Sequence, residues 1–421
     1  MARFPAPTFS ASERDRRWAA VRQIMDRAQW NLDAILTTPS DSHGAYARYL
    51  TQIGGYGAGL EVIFPRDPAT PVHAFLGRFR PYWESRLTDW CADGMLVLRG
   101  DDGSQAVALQ LRALGLDAPG TRLGVGKLTG ARFDPEGLVS TTYLENLRAA
   151  MPEALFVPIE RWGVDLGPIE ESAMLKGPEE HEAITHSVAA GEKGIEALVS
   201  AARPPAENQA DLWFPTFVAM FAETGEHPTR LSIAFDQAAD RTLALPVGDP
   251  FREGLIVNEE IGATVQGYQA QVNHSLFIGD RRTPGYRYYA AAMETAIDLF
   301  ADALEFIVPG KTTCGQLADR YAARVEALSA EDASGVVLHS SGIGTLARPR
   351  LGPTNSRGDE DVVVAAGMAF DFKPAIRMKR SAVEDVVERN RIAQIGEHVL
   401  VTESGAVRLG TRDLAPIATL D

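Results

Sequence analysis

The sequence predicts an α+β chain in two parts, an α/β region followed by a region of long helices segregated from antiparallel strands. Three observations carry this. Residues 12–160 switch repeatedly between helical spacing and short apolar runs, the alternation of helices packed on a sheet. Gly163, Gly167, Pro168, Gly177 and Pro178 then interrupt the pattern, which places one domain at 1–165 and the next at 170–421. Beyond that break, long helical patterns alternate with the strand-like groups GVVLHSSGIG, GMAFDFKPAI and EHVLVTESGAV. A length of 421 residues agrees with more than one core, because single cores stop growing near ~250–300 residues.

In chain order, Trp18, Val21, Ile24 and Met25 repeat at helical spacing after Ser12 and Glu13. LDAIL (Leu32–Leu36) reads as a strand, and Leu60–Phe64 and Val72–Leu76 read as a pair around the turn PRDPAT. Leu96–Leu98 and Leu123–Val125 are short strands flanking the helical SQAVALQLRAL. Pro178 suits a helix first turn, and Glu179 and Glu180 suit its positive end. Ile184, Val188, Ile195, Leu198 and Val199 carry that helix through about six turns. A helix over about 209–224 precedes the strands GLIVNEEIGATV and GYQAQVNHSLFIG, which turn at Gln266 and Gly267. Helices over about 286–306 and 314–328 follow, joined at VPGK. The charged runs from Asp359 and over 383–391 read as solvated loops or hairpins, and Trp83 and Trp90 as core or dimer-interface residues.

Composition removes several functions. With 45% apolar and 23% charged residues the chain is ordinary globular protein. A net charge of −15 is the wrong sign for a phosphate-backbone binder. Two cysteines, Cys91 and Cys314, make neither a disulfide framework nor a four-thiolate zinc site. There is no signal-peptide core in MARFPAPTFS and no apolar run of ~18 residues, so the expected location is the cytoplasm, with no membrane and no nucleic acid as partner. P-loop, GxGxxG and GxSxG patterns are missing, which removes support for nucleotide binding and ordinary serine hydrolysis.

Six ordered landmarks are more specific: SAMLKGPEEHEAI, IGATVQGY with SLFIG, VPGKTTCGQL, SSGIG, AAGMAFDFKPAI and VLVTESGAVRLGT. In these the second half resembles the catalytic domain of the creatinase, prolidase and aminopeptidase P superfamily. The first half is similar to that superfamily's creatinase-like N-terminal domain. The resemblance implies the pita-bread fold, usually as a homodimer, and an enzyme acting on a small-molecule substrate. It also implies a dimetal centre of two Asp, one His and two Glu, a set suited to Mn, Co or Zn. Laid onto this chain, those five positions become Glu260, Gln271, Ser341, Lys373 and Gly396, and the outer histidines map near Thr242 and Arg348. An ammonium at Lys373 repels cations and, when protonated, offers no lone pair. The expectation is therefore a divergent member with no metal and no other cofactor.

Creatinase and ectoine hydrolase, which the resemblance includes, cleave C–N bonds on this scaffold without metal. Their patterns are not reproduced here either, since Asn273 and His274 stand where creatinase-like sequences carry Glu and Arg. Strand alternation groups Asn258 with Glu260, Gln271 with Asn273 and Ser275, His339 with Ser341, and Asp371 with Lys373. Glu260 is the expected base or nucleophile, with a structural ion pair to Lys373 as the competing reading. Lys373 anchors or stabilises an anion, or pairs with Glu260 and Asp371. His339 and His274 are candidate proton carriers, or hydrogen-bonded core residues. Gln271, Asn273, Ser341, Arg348, Asp371 and Tyr268 are candidate substrate contacts; Arg348 suits a carboxylate, and Tyr268 also suits a packing role. The leading reading is a metal-independent creatinase-like hydrolase or lyase acting on a C–N or related polar bond of a small charged molecule. A non-catalytic binding protein and a conventional Xaa-Pro peptidase stand as alternatives.

Overall fold

The computed structural model describes residues 9–39, 45–54, 60–77, 80–85, 90, 96–98, 102–130, 136–161, 166–238, 246, 248–334, 337–343, 348–352, 359–379 and 391–420. Position 242 and most of the run 383–391 lie outside them. The chain divides into two compact units, one spanning Pro7–Ala173 and the other taking up from Met174.

The first unit contains α1 (Ala11–Met25), β1 (Ala34–Thr37), α2 (Ala45–Thr51), β2 (Val62–Pro65), β3 (His73–Leu76), α3 (Arg80–Glu84), β4 (Leu96–Leu98), α4 (Gly103–Ala113), β5 (Arg122–Val125), α5 (Thr141–Ala150), β6 (Leu155–Pro158) and α6 (Pro168–Ser172). Its sheet runs β4-β3-β2-β1-β5-β6 and is mixed: β1 is antiparallel to β2 and parallel to β5. Every residue of β1 is buried, as a central strand covered on both faces requires. Leu36, Ile63, Phe75 and Leu123 meet Val107, Leu111 and Leu147 from α4 and α5 in one core. Ser10 caps α1 through the Glu13 amide. Trp90 is buried, in keeping with a core role.

The second unit contains α7 (Pro178–Ala201), α8 (Gln209–Thr224), β7 (Arg230–Phe235), β8 (Ile256–Val265), β9 (Tyr268–His274), β10 (Leu276–Phe277), α9 (Pro284–Phe306), α10 (Cys314–Ala327), β11 (Ala330–Asp332), β12 (Leu338–Ser340), β13 (Arg350–Leu351), β14 (Ala369–Phe372), β15 (Ala375–Met378), β16 (Ala393–Thr402), β17 (Gly405–Arg408) and β18 (Ile417–Ala418). Its main sheet runs β13-β12-β14-β16-β9-β8-β10-β18, with β7 on β8. Gln266 and Gly267 both have positive φ, so β8 and β9 join through a two-residue turn whose twist matches the strands. Helix α7 lies close on this hairpin. A Cβ on Gly191 would meet Val272 Cγ2 at 2.4 Å, and one on Gly194 would meet Met220 Cγ at 2.9 Å. Glycine at these positions permits the approach of helix to strand and helix to helix. Thr313 and Gln316 close a capping box at the start of α10.

The segment from Asp359 is solvated in part: Glu360, Asp361 and Val363 are exposed, whereas Asp359 is fully buried and the Cys314 amide donates to Val362 O at 2.9 Å, which ties the segment to the start of α10.

Candidate functional site

Alternation along β8 and β9 decides which side chains meet. On β9 the even-numbered residues face α7: the Tyr268 hydroxyl donates to Glu180, the Ala270 amide donates to Ser187 Oγ at 2.9 Å, and Val272 abuts Gly191. The odd-numbered Gln271 and Asn273 therefore face the other way. On β8, Glu260 shares that second face. There Lys373, just past β14, places its Nζ 2.8 Å from Glu260 Oε1 and 2.7 Å from Gln271 Oε1. Arg230 of β7 donates to the second Glu260 oxygen at 2.6 Å. Asp371 Oδ2 lies 3.9 Å from the same ammonium. Glu260, Gln271 and Lys373 are each less than one-tenth exposed.

Next to this cluster β12, β14 and β16 present two histidines. His339 and Asp371 stand opposite each other in register, and His339 Nε2 lies 3.2 Å from Asp371 Oδ2. Asp371 is also opposite His398 of β16. His398 Nε2 is hydrogen-bonded to Ser341 Oγ, and its Nδ1 has no partner among the described residues. His398 had no place in the sequence reading, nor had Arg230. The only signal for His398 was its spacing of two from Gly396, which puts both on one strand face.

Charge states follow from burial and neighbours. Burial opposes ionisation of Glu260, but the Lys373 ammonium and Arg230 guanidinium outweigh it and hold the carboxyl at about 2. Burial pushes His398 down to about 4 against the pull of Asp371, so its imidazole is neutral at pH 7. His339 is also lowered, by burial first and the Lys373 charge second. A neutral His398 with hydrogen on Nδ1 accepts the Ser341 proton at Nε2, the arrangement of a nucleophile with its base.

The expected roles sort accordingly. Lys373 meets both Glu260 and Gln271, Asp371 lies next to Lys373 with His339 against it, and Ser341 meets His398. Glu260 does not suit a general base, because both oxygens are held by cations and its pKa lies far below neutrality. His274 is not a proton carrier for this site. It lies on the α7 face of β9, its Nε2 3.1 Å from Ala415 O, and burial with the nearby Arg412 charge lowers it to about 3. Tyr268 is likewise turned to α7 and bonded to Glu180 rather than to the site. Arg348 is not free for a substrate carboxylate: its Nε and Nη2 donate to Asp359 Oδ1 at 3.0 and 2.5 Å in a buried pair. Asn273 faces the site side, but fills space. A Cβ on Gly396 would lie 2.6 Å from Asn273 Oδ1. The other face of the sheet carries a separate charged group, in which Arg408 and Arg412 pair with Glu397, and Arg412 also with Glu192. Among the described residues no group of three or more His, Cys, Asp or Glu is placed to hold a metal ion.

Metallopeptidase family M24 matches residues 179–403. No curated protein sequence matches the chain. Among solved structures, dipeptidase PepE from Mycobacterium ulcerans is similar at 21% identity and TM-score 0.70, over 99% of this chain and 100% of that one. The Xaa-Pro dipeptidase from Bacillus anthracis is similar at 15% identity and TM-score 0.71, over 96% and 99%. The N-terminal domain of the FACT complex subunit SPT16 from chickpea, Cicer arietinum, is similar at 12% identity and TM-score 0.67, over 96% and 97%.

Proposed function

The chain belongs to metallopeptidase family M24, with the two-domain pita-bread architecture, and from that premise we propose that it is a metal-independent, creatinase-like hydrolase acting on a C–N or related polar bond of a small charged molecule. The observation that supports this is Lys373, whose ammonium sits between Glu260 and Gln271, two positions at which metallopeptidases of this family place metal-binding carboxylates. The donor set does not fit a dimetal centre. Of the five mapped positions only Glu260 is an anion, it is already neutralised twice, and Asn273 takes the space a side chain at Gly396 would need.

Catalysis then falls to Ser341 and His398. His398 Nε2 takes the hydroxyl proton as Ser341 Oγ, or a water in its place, attacks the electrophilic carbon. The same nitrogen returns the proton to the departing amine, and water completes turnover where an acyl or amidino group was carried on Ser341. Asp371, opposite His398, stabilises the imidazolium formed in between. Lys373 is a fixed cation for an anionic substrate group or developing charge. Elimination of the same bond would use His398 as base without an adduct on Ser341.

The test combines metal content with turnover of guanidino, amidine and dipeptide substrates. Chelator-insensitive activity that falls by 10²-fold or more in Ser341→Ala and His398→Gln is expected. One or two equivalents of Mn, Co or Zn with chelator-sensitive Xaa-Pro cleavage would return the protein to the conventional Xaa-Pro peptidases. One observation favours a second reading, a binding protein on a decayed site. Glu260 and Lys373 satisfy each other within a buried cluster. That reading requires inactivity on all three substrate classes with an unaltered Ser341→Ala phenotype.

A further inference from the structure

On the face of β12 and β14 turned away from His339, Asp371 and Lys373, the sheet and α10 enclose a cavity of about 350 Å³. Leu317, Tyr321 and Val325 come from the helix, and Leu338, Leu351 and Phe372 from the strands. Leu338 and Phe372 are register partners, one residue removed from the facing pair His339 and Asp371, so they project to the opposite side. The volume lies in the range of small-molecule sites, ~300–1,000 Å³, and the wall is mostly apolar. Two groups break that apolar lining. Asp332 at the end of β11 takes hydrogen bonds from Ser334 N at 3.1 Å and Ser334 Oγ at 2.7 Å, yet no lysine, arginine or histidine among the described residues pairs with it. Burial raises its pKa to about 6. The buried Tyr321 hydroxyl approaches the Asp332 carboxylate as a donor, outside ordinary hydrogen-bond geometry, and the Ala375 amide approaches the same carboxylate. Asp319 adds a second, exposed carboxylate, and the lining residues include no lysine or arginine.

We propose that this cavity binds a small apolar organic cation, a primary amine on a compact aromatic or branched alkyl body, with the ammonium on Asp332 and the Tyr321 hydroxyl and the body against Phe372 and Leu338. A carboxylate with hydrogen-bond donors but no cation, at the end of an apolar chamber, is complementary to such a molecule. An anionic ligand meets repulsion from both aspartates. A neutral one gains the apolar contacts alone. The site is distinct from the Ser341–His398 centre and does not depend on that centre being active.

Calorimetric titration of the full chain with 2-phenylethylamine, 2-phenylethanol and 3-phenylpropionate tests it. The amine is expected to bind at least tenfold more tightly than the alcohol, and the acid not at all. Asp332→Asn is expected to erase the difference between amine and alcohol. Ala322→Trp, which fills the chamber, is expected to abolish binding while the thermal midpoint and far-UV spectrum stay native; Ala318→Phe serves if Ala322→Trp does not fold. Equal affinity for amine and alcohol, undiminished binding in the filled variant, or no heat from any probe overturns the proposal.

Discussion

Lys373 and Glu260 meet where little water reaches, so each makes removal of the other costly. Lys373→Met leaves the Glu260 charge to Arg230 alone, and a loss of about 3–5 kcal/mol in urea unfolding is expected. The double variant Glu260→Gln/Lys373→Met removes both charges and is expected to regain most of that loss; strictly additive losses would show that the two do not act as a pair. At His398 the neutral form persists down to about 4, so the acid limb of kcat/KM is expected near pH 4 rather than near 6.5. A limb at 6.5 would indicate a solvated histidine. Of these residues Glu260, Gln271 and Lys373 were legible because each falls at a fixed offset inside a short motif. Arg230 and His398 were not, since they reach the site from β7 and β16 through pairing that no local pattern records. His274 and Tyr268 sat in the right motif but at even positions of β9, and period-two geometry alone sends them to α7.

Helix α7 and the β8–β9 hairpin position Glu260 and Gln271, and their spacing depends on glycine. Gly191→Val is expected to force α7 from Val272 and cost about 1–3 kcal/mol, with Val272→Ala in the same chain restoring part of it. Chemical denaturation of the single and the double variant measures this. At α10, Thr313→Ala removes an N-cap and is expected to cost about 1 kcal/mol. The helices and longer strands followed from apolar periodicity and from Pro178 and Gly267, because these elements bury a stripe or a face. The burial of Asp359 did not, because its carboxylate read as solvated. Only the fold supplies Arg348 and the start of α10 as partners, and sequence distance hides both.

For the whole molecule, buried histidines and buried carboxyls act in opposite senses on stability in acid. His274 and His398 titrate at about 3 and about 4 in the fold against 6.5 unfolded, so between these values the unfolded chain binds more protons. The histidine contribution is therefore expected to fall as pH drops below 6.5 toward 4, and His398→Gln to make thermal melts less sensitive to pH over that range than in the parent chain by removing one of the two. Glu259, Glu160 and Asp332, raised by burial to about 8, about 7 and about 6, act in the opposite sense: their contribution is full below the unfolded carboxylate range and is lost as pH rises through those values. The two-part architecture and its order were legible, since Gly163 to Pro178 break two different periodicities. The mixed character of the first sheet was not, because strand direction leaves no trace in an apolar run. The position of β16 between β14 and β9 has a bearing on biosynthesis. Asn273 finds its register partner only at Gly396, roughly 120 residues later. At ~5–20 residues per second the ribosome leaves one edge of β9 uncovered for roughly 6–25 seconds, long enough for a nascent chain to need shelter from its neighbours.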